Sequence, residues 1–407
     1  MGILRLLLAL AVVFAHAGPL FGVRALAMTG GPLAVQMFYV VSGFYMALVL
    51  NEKYRGPGSY KAFAESRLVR LFPMYLAVVA LTLAVGLTLH FGGHTIPPLR
   101  CWIEHGRAMP WPDALGLGLV QFTIVGQDAV VFAAVDPATS ELFATADFHT
   151  EALPAWRFML VPQAWTIGLE LMFYAVAPLL VRRRAAVIGL VVLASLALRV
   201  ALVRRLGLGN DPWTYRFFPT ELALFLAGAL SYRLYRALGR RGWLRPLATW
   251  GVTVATIGAV AVYPLLPAAL HWSPYGLAVG LLALPFALPF AFELTARSRL
   301  DRAVGELSYP VYLVHYLLCF LLPVVGMRPW SIWSGLAVAP LAVLSAWMLW
   351  RFVGVPIEGW RQRIGARLRA RTEVSGSTDT ADAALSLGYA ARRRSGNDRG
   401  EGDPIDP

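Results

Sequence analysis

Charged residues and cysteines are both scarce in this chain of 407 residues. The two cysteines, Cys101 and Cys319, lie far apart and form neither a disulfide framework nor a zinc-binding motif. Only 14% of the residues are charged, whereas soluble domains carry about 25%. No Walker loop, dinucleotide fingerprint or metal-ligand spacing occurs. The composition therefore excludes an ordinary soluble enzyme, a disordered protein and a secreted disulfide scaffold.

Apolar residues are abundant instead, since 58% of the chain is hydrophobic and its mean hydropathy is +0.60. Apolar stretches of about 20 residues recur, and each is long enough to cross a hydrocarbon core of about 30 Å. We therefore predict an all-α protein, a polytopic bundle of about ten transmembrane helices. The predicted spans are residues 2–21, 32–50, 72–91, 164–181, 185–203, 217–235, 247–266, 275–293, 304–325 and 331–353.

An eleventh apolar stretch, residues 114–134, is a weaker candidate. It contains Gln121, Gln127 and Asp128, and such groups are costly at bilayer depth. It belongs to the one long connection between predicted spans, residues 92–163. We expect this connection to lie on the outer side of the membrane, with 114–134 re-entrant, surface-bound or only partly inserted.

Basic residues predict the orientation of the spans. The formal net charge is +13, and with a cytoplasmic N-terminus most arginines and lysines fall in predicted inner loops, as the positive-inside rule requires. Three arginines dissent, because Arg204, Arg205 and Arg216 fall in a predicted outer loop. We predict that both termini are cytoplasmic and that the protein is a multi-pass component of a plasma or inner membrane.

Three regions follow from this pattern. Residues 1–353 form the predicted transmembrane domain, and residues 354–371 form a basic juxtamembrane segment. Residues 372–407 have few large apolar groups and cannot bury a core, so we expect a disordered cytoplasmic tail. Membrane lipids are expected partners, whereas nucleic acid is not, because basic loops in a membrane protein first report orientation.

The first predicted span carries two ionisable residues, Arg5 and His16. Such side chains are functional candidates, because each costs roughly 2.5–3.5 kcal/mol in lipid. Eleven residues advance a helix by about 16 Å and close almost three turns, so the two share a face. Histidine is also suited to proton transfer near neutral pH. The structural alternatives are a surface anchor for Arg5 and a backbone-bonded imidazole for His16.

Glu170 is, on this assignment, the only acid well inside a predicted span. We expect it in the same half of the bilayer as His16, where a carboxylate would orient the imidazole or stabilise its charged form. A structural ion pair or a protonated carboxyl group is the alternative. Ser308, Tyr312 and His315 form a polar stripe at i, i+4 and i+7 along the ninth span, which interhelical hydrogen bonding alone would also explain.

Arg67 and Arg70 stand three residues apart at the inner end of the third predicted span. Paired guanidinium groups bind phosphates bidentately, so the pair is a candidate phosphate clamp. Ordinary anchoring at the inner surface is the alternative. Ser42 and Gly43 lack the Gly-x-Ser-x-Gly elbow of a nucleophilic serine and predict a close-packing point in a helix.

Together these residues resemble the acyltransferase-3 family of integral membrane acyltransferases over roughly residues 1–353. The segments that carry the resemblance are Arg5 with His16, residues 38–44, Arg67 and Arg70 with Pro73 and Tyr75, residues 165–174, and residues 308–315. Thr166 and Ile167 depart from the family pattern by replacing Ser and Leu, and Leu171 follows Glu170 where a second acid is common. A paired-carboxylate role is therefore not expected here.

The resemblance implies transfer of an acyl group, usually acetyl, from a coenzyme A thioester to a hydroxyl of a sugar, glycolipid, polysaccharide or secondary metabolite. It implies catalytic roles for His16 and Glu170, with His16 either a general base or a brief carrier of the acyl group. The expected donor-binding residues are Arg5, Arg67 and Arg70. The residues expected to support the substrate or the structure are Trp165, Tyr174, Ser308, Tyr312 and His315. Acetyl-CoA or another acyl-CoA is the expected co-substrate, with no metal.

Two other interpretations start from the same residues. A proton-coupled transporter or flippase for a glycan or small metabolite would use Glu170 and His16 as a proton relay, although the chain has no internal repeat of the kind common in transporters. The start of the chain also has the features of a signal peptide, with Ala15-His16-Ala17 at its cleavage site. Cleavage would remove His16, and the family resemblance argues against it.

Overall fold

The computed structural model describes residues 1–262 and 274–363. The described part is mostly helical, with one two-stranded hairpin. Its helices and strands are α1 (Gly2–Ala17), α2 (Gly31–Glu52), α3 (Ser59–Phe91), α4 (Pro97–His105), α5 (Trp111–Thr123), β1 (Ala133–Val135), β2 (Leu142–Ala144), α6 (Trp165–Leu180), α7 (Ala185–Leu206), α8 (Phe218–Arg240), α9 (Pro246–Val262), α10 (Pro274–Thr295), α11 (Arg299–Glu306), α12 (Ser308–Leu321) and α13 (Ser334–Leu349). A π-helical turn, Trp350–Gly354, continues α13 toward residue 363.

Six helical segments of the described chain are long and apolar enough to cross a membrane. They are Gly31–Glu52, Ser59–Phe91, Pro162–Leu180, Ala185–Leu206, Arg299–Leu321 and Ser334–Arg363. The all-α class is confirmed, whereas the count of ten spans and the orientation of the termini stay predictions. The predicted span 247–266 is described only as far as residue 262, and the predicted tail, residues 372–407, lies outside the described residues.

The weak stretch 114–134 is not one continuous helix. Helix α5 ends at Thr123, and the chain then turns at Ile124 and enters a 3₁₀ turn before strand β1. Two polar side chains of the stretch have partners inside the protein: Gln121 Oε1 accepts a hydrogen bond of 2.9 Å from the Leu160 amide, and Gln127 donates to the Tyr75 hydroxyl. Buried polar groups that find partners in this way no longer carry the cost of lipid exposure.

Helix α1 fixes two reference points in the bundle. At its start, the Asp301 carboxylate accepts hydrogen bonds from the amides of Gly2 at 2.7 Å and Ile3 at 3.0 Å, which satisfies donors that a helix leaves unpaired. At its end, Gly18 adopts a φ of 110°, a conformation that favours glycine and stops the helix. We call these the Arg5 end and the His16 end of the bundle.

Glycines bring α2 and α8 into backbone contact. A Cβ atom on Gly43 would lie 1.8 Å from the Phe225 carbonyl oxygen, and one on Gly228 would lie 1.9 Å from the Val40 carbonyl oxygen. Small residues permit this close approach. Because lipid provides no hydrophobic driving force between helices, the van der Waals packing at such contacts helps to hold them together. The sequence-based prediction of close packing at Gly43 agrees with this contact.

Gly228→Ala is expected to destabilise the bundle, because an added methyl group must push α8 away from α2. Overpacking of this kind typically costs about 1–3 kcal/mol. Thermal unfolding of the detergent-solubilised protein should therefore start at a clearly lower temperature. Gly189→Ala is the matched control, since a Cβ atom there meets nothing within 4 Å. Equal melting temperatures for the two variants would contradict the packing assigned to Gly228.

Candidate active site

A cavity of about 430 Å³ lies inside the bundle, between α1, α2, α3, α6, α10, α11 and α12. The basic side chains that line it are Arg5, Lys53, Arg67, Arg70, Arg302 and Arg361. The acidic side chains that line it are Glu170, Asp301 and Glu306. Positive charge is thus in excess among the lining residues, and a low-dielectric cleft of one sign concentrates ligands of the opposite charge.

The cavity follows one face of α2. Its lining residues on this helix recur every three or four positions from Val35 to Lys53, the spacing of one helical face. The eighteen steps from Val35 to Lys53, the residue that directly follows α2, correspond to about 27 Å of helix. Because a Cβ atom on Gly31 would touch Ala15 of α1 at 3.1 Å, α2 starts at the His16 end. The cavity therefore extends from the Arg5 end deep into the bundle.

The three arginines predicted to bind the donor all line this cavity. Arg67 is only 7% exposed, and its Nε atom is buried without a hydrogen-bond partner in the described part of the chain. Its guanidinium also lies 5.8 Å from the centre of the Phe63 ring. Arg70 faces the Glu306 carboxylate at 3.6 Å. The structure thus brings Arg5, Arg67 and Arg70 to one surface with unused donor capacity.

Glu170 lies on the cavity wall with two hydroxyl groups bound to it. Ser42 donates to its Oε1 atom at 2.8 Å, and Tyr174 donates to the same atom. Glu170 lies one helical turn beyond Thr166, toward the Arg5 end. The expected contact with His16 is therefore not found, since the ring of His16 has other partners. Ser42, read from sequence only as a packing position, proves to be part of this polar group.

His16 instead pairs with His315. The Nδ1 atom of His16 lies 2.9 Å from the Val12 carbonyl oxygen and 3.3 Å from His315 Nε2. The Nδ1 atom of His315 lies 2.6 Å from the Tyr312 carbonyl oxygen. The neutral tautomers that satisfy these contacts carry their protons on Nδ1, which leaves His16 Nε2 with a free lone pair. His16 Nε2 is thus the ring atom that remains available as a hydrogen-bond acceptor.

A hydroxyl pair separates the cavity from the two histidines. Thr166 donates to the Tyr312 hydroxyl at 2.8 Å, and Tyr312 donates to the Gln163 carbonyl at 3.0 Å. Thr166 and Tyr312 line the cavity, whereas neither His16 nor His315 does. Because Tyr312 and His315 are three residues apart on α12, the cavity ends about one helical turn from the histidine pair.

The remaining predicted residues divide between two places. Ser308 lines the cavity and donates to the Gly305 carbonyl at 2.7 Å, and Tyr174 also faces the cavity. Trp165 does not line it. Its ring lies 5.0 Å from the Tyr215 ring and 4.4 Å from the Arg216 guanidinium, at the His16 end.

Glu221 is a second acid within a predicted span, besides Glu170. Its carboxylate is fully buried, accepts a hydrogen bond of 3.2 Å from Gln36 and pairs with Arg199. Glu221 falls about one helical turn inside the predicted span 217–235. The signal that sequence reasoning passed over was Arg199, a charge inside a neighbouring predicted span that needs a partner.

The comparisons with known proteins bear on this geometry. A family model described as an acyltransferase domain matches residues 1–351. No curated protein and no solved structure matches the chain significantly. The match covers the helices that form the cavity and those that carry both histidines. With its apolar helices and this match, the chain is a membrane protein that belongs to the acyltransferase-3 family.

Proposed function

We propose that the protein transfers an acyl group, with acetyl the favoured case, from a coenzyme A thioester to a hydroxyl group of a sugar, glycolipid, polysaccharide or secondary metabolite. The observation that carries the proposal is the course of the cavity. It is basic at the Arg5 end and ends about one turn from the histidine pair. A phosphorylated donor held at one end would present its thioester toward a proton acceptor at the other.

Donor binding falls to the arginines. Arg5, Arg67 and Arg70 would hold the phosphates of coenzyme A, because guanidinium groups form charge-assisted, bidentate bonds to phosphate oxygens. Without a donor bound, the Glu306 carboxylate pairs with the Arg70 guanidinium, and the stronger contact with a phosphate would displace it. The Arg5 end then faces the cytoplasm, where the thioester is available.

Glu170 would act on the arm that joins the phosphates to the thioester. Its Oε1 atom is held by Ser42 and Tyr174, while Oε2 has no hydrogen-bond donor among the described residues. A fixed carboxylate oxygen on the cavity wall suits the amide N–H groups of the pantetheine arm. Glu170 is therefore proposed to orient the donor rather than the imidazole.

The transfer step uses His16 as general base. The acceptor oxygen attacks the thioester carbonyl carbon, a C–O bond forms, and the hydroxyl proton passes to His16 Nε2. Collapse of the tetrahedral intermediate breaks the C–S bond, and His16 returns the proton to the departing sulfur. The products are the ester and free coenzyme A, with no net gain or loss of protons. His315 holds the His16 ring in the required tautomer.

Acyl transfer without a membrane gradient is the direct test. The protein purified in detergent is incubated with acetyl-CoA labelled in its acetyl group and a panel of hydroxyl acceptors, and both free thiol and labelled ester are measured. We expect thiol release that depends on the protein and is accompanied by ester formation. Absence of thiol release and of ester, together with acceptor flux in sealed proteoliposomes, would favour the transporter and contradict the proposal.

A further inference from the structure

Arg216 is a charged side chain that the proposed reaction leaves without a role. It was one of three arginines that the positive-inside pattern placed on the wrong side. It lies in the connection between α7 and α8, at the His16 end, outside both helices. The other two, Arg204 and Arg205, are exposed, whereas the Arg216 side chain is only 20% exposed. A simple interfacial anchor would not be enclosed in this way.

Aromatic rings and one carboxylate hold Arg216 in place. Its guanidinium lies 4.4 Å from the Trp165 ring centre, 5.2 Å from Phe148 and 5.4 Å from Tyr215. Its Nε atom donates to both oxygens of Asp211, at 2.8 and 3.0 Å. Burial alone would lower the pKa of Arg216, but the Asp211 carboxylate outweighs it and the pKa is raised.

The free donors of Arg216 are its terminal nitrogens. Asp211 takes only Nε, and neither terminal nitrogen has a hydrogen-bond partner within the described ranges. Stacking on an aromatic surface fixes the plane of a guanidinium and leaves its outer edge free for a bidentate contact. A partly exposed guanidinium with this edge free is suited to a planar carboxylate or a phosphate.

The position of Arg216 connects it to the reaction centre. Trp165, on which it stacks, directly precedes Thr166, whose hydroxyl closes the cavity with Tyr312. The Tyr312 ring lies 5.7 Å from the His315 ring, which in turn lies 5.1 Å from the His16 ring. Arg216 thus lies at the His16 end, where the donor cavity stops, and it does not line that cavity.

We propose that Arg216 is the acceptor-specificity residue, and that it selects an acidic sugar whose carboxylate or phosphate binds the guanidinium while a nearby hydroxyl reaches His16. The proposal rests on the acyltransferase function proposed above. It assigns opposite ends of the reaction path to two anionic groups: the phosphates of the donor bind at the Arg5 end, and the anionic group of the acceptor binds at the His16 end.

Equilibrium binding to the purified full-length protein tests the proposal without requiring turnover. The probes are methyl glucuronide, glucose 6-phosphate and methyl glucoside, titrated by calorimetry. We expect at least one of the two acidic sugars to bind about 10-fold or more tightly than the neutral glucoside, as a charge-assisted bidentate contact requires, and the tighter of the two identifies the preferred anion. Equal affinity for all three probes, or no binding of either acidic sugar, overturns the proposal.

Variants separate a ligand contact from a structural role. Arg216→Gln should remove the preference for acidic sugars, whereas Arg204→Gln, at an exposed arginine nearby, should keep it. If Arg216→Gln does not fold, Arg216→Lys takes its place in the test. This variant retains the charge beside Asp211 but loses the bidentate geometry, so it should bind acidic sugars several-fold more weakly. Unchanged affinity in the folded Arg216 variants contradicts the assignment. Arg216-dependent binding of phosphatidylglycerol micelles but of neither acidic sugar would make this a lipid site and also contradict it.

The two proposals fail in different ways. If an acidic sugar binds through Arg216 but acetyl-CoA is never consumed, the acyltransferase mechanism is wrong and the anion site stands. If acyl transfer proceeds and Arg216→Gln changes neither acceptor KM nor the preference for acidic acceptors, the reaction stands and the specificity role of Arg216 is wrong. Where acyl transfer proceeds, donor KM should stay unchanged in Arg216→Gln.

Discussion

His16→Ala is expected to lower kcat for acyl transfer by about 10²–10⁴-fold, the range that a lost general base usually costs. The reason is the free lone pair on His16 Nε2, which the contacts of Nδ1 with Val12 and His315 leave available. Because the residue does not line the donor cavity, KM for the thioester should change little. Initial rates over a range of acetyl-CoA concentrations separate the two constants.

Two comparisons make this prediction specific. His94→Ala, at an exposed histidine, should retain wild-type kcat and membrane insertion. His315→Ala should lower kcat by about tenfold, the effect of one lost neutral hydrogen bond, because His16 then keeps only the Val12 carbonyl to hold its tautomer and ring orientation. Wild-type kcat in His16→Ala would remove this residue from the mechanism.

A labelling experiment without acceptor distinguishes the two roles open to His16, general base and carrier of the acyl group. If it carried the acyl group, wild-type protein mixed with labelled thioester and no acceptor would hold the label after denaturation. A general base forms no such bond, so we expect the label to stay with the thioester. Retained label that disappears in His16→Ala would establish a covalent intermediate and exclude the general-base role.

The sequence predicted the helices better than their contacts. Apolar length alone located α2, α6 and α7 to within a few residues, because lipid requires continuous apolar helices. Position along a helix does not reveal rotation about its axis or the neighbour it faces. Glu170 was therefore matched with His16, whereas its actual hydroxyl partners, Ser42 and Tyr174, lie on α2 and on its own helix.

Contacts between side chains on different helices could not be predicted from the sequence. His315 was identified as part of a polar stripe, but its contact with His16 spans 299 positions and follows only from how α1 packs on α12. Glu221 was passed over for the same reason, because its partners Gln36 and Arg199 come from two other helices. The sequence did show that Arg216 falls in a predicted outer loop, against the positive-inside rule, but it did not show the aromatic rings around this side chain.

Arg67→Ala is the second variant with a large expected effect, on donor binding rather than on chemistry. The side chain is almost fully buried on the cavity wall with an unpartnered Nε atom, so a bound phosphate would supply the partner it lacks. Hydrogen bonds to charged groups contribute about 1.5–3 kcal/mol. KM for acetyl-CoA should therefore rise about 10- to 150-fold while kcat falls less.

Arg70 and Glu306 refine this second prediction. Arg70→Ala should raise KM less than Arg67→Ala, because Arg70 must first give up its contact with Glu306. Glu306→Gln removes that competing carboxylate and should lower KM below the wild-type value. Lys61→Ala is the control, since Lys61 is 82% exposed and does not line the cavity. An unchanged donor KM in both arginine variants would mean that the phosphates bind elsewhere. The excess of positive charge in the cavity would then serve a different anion.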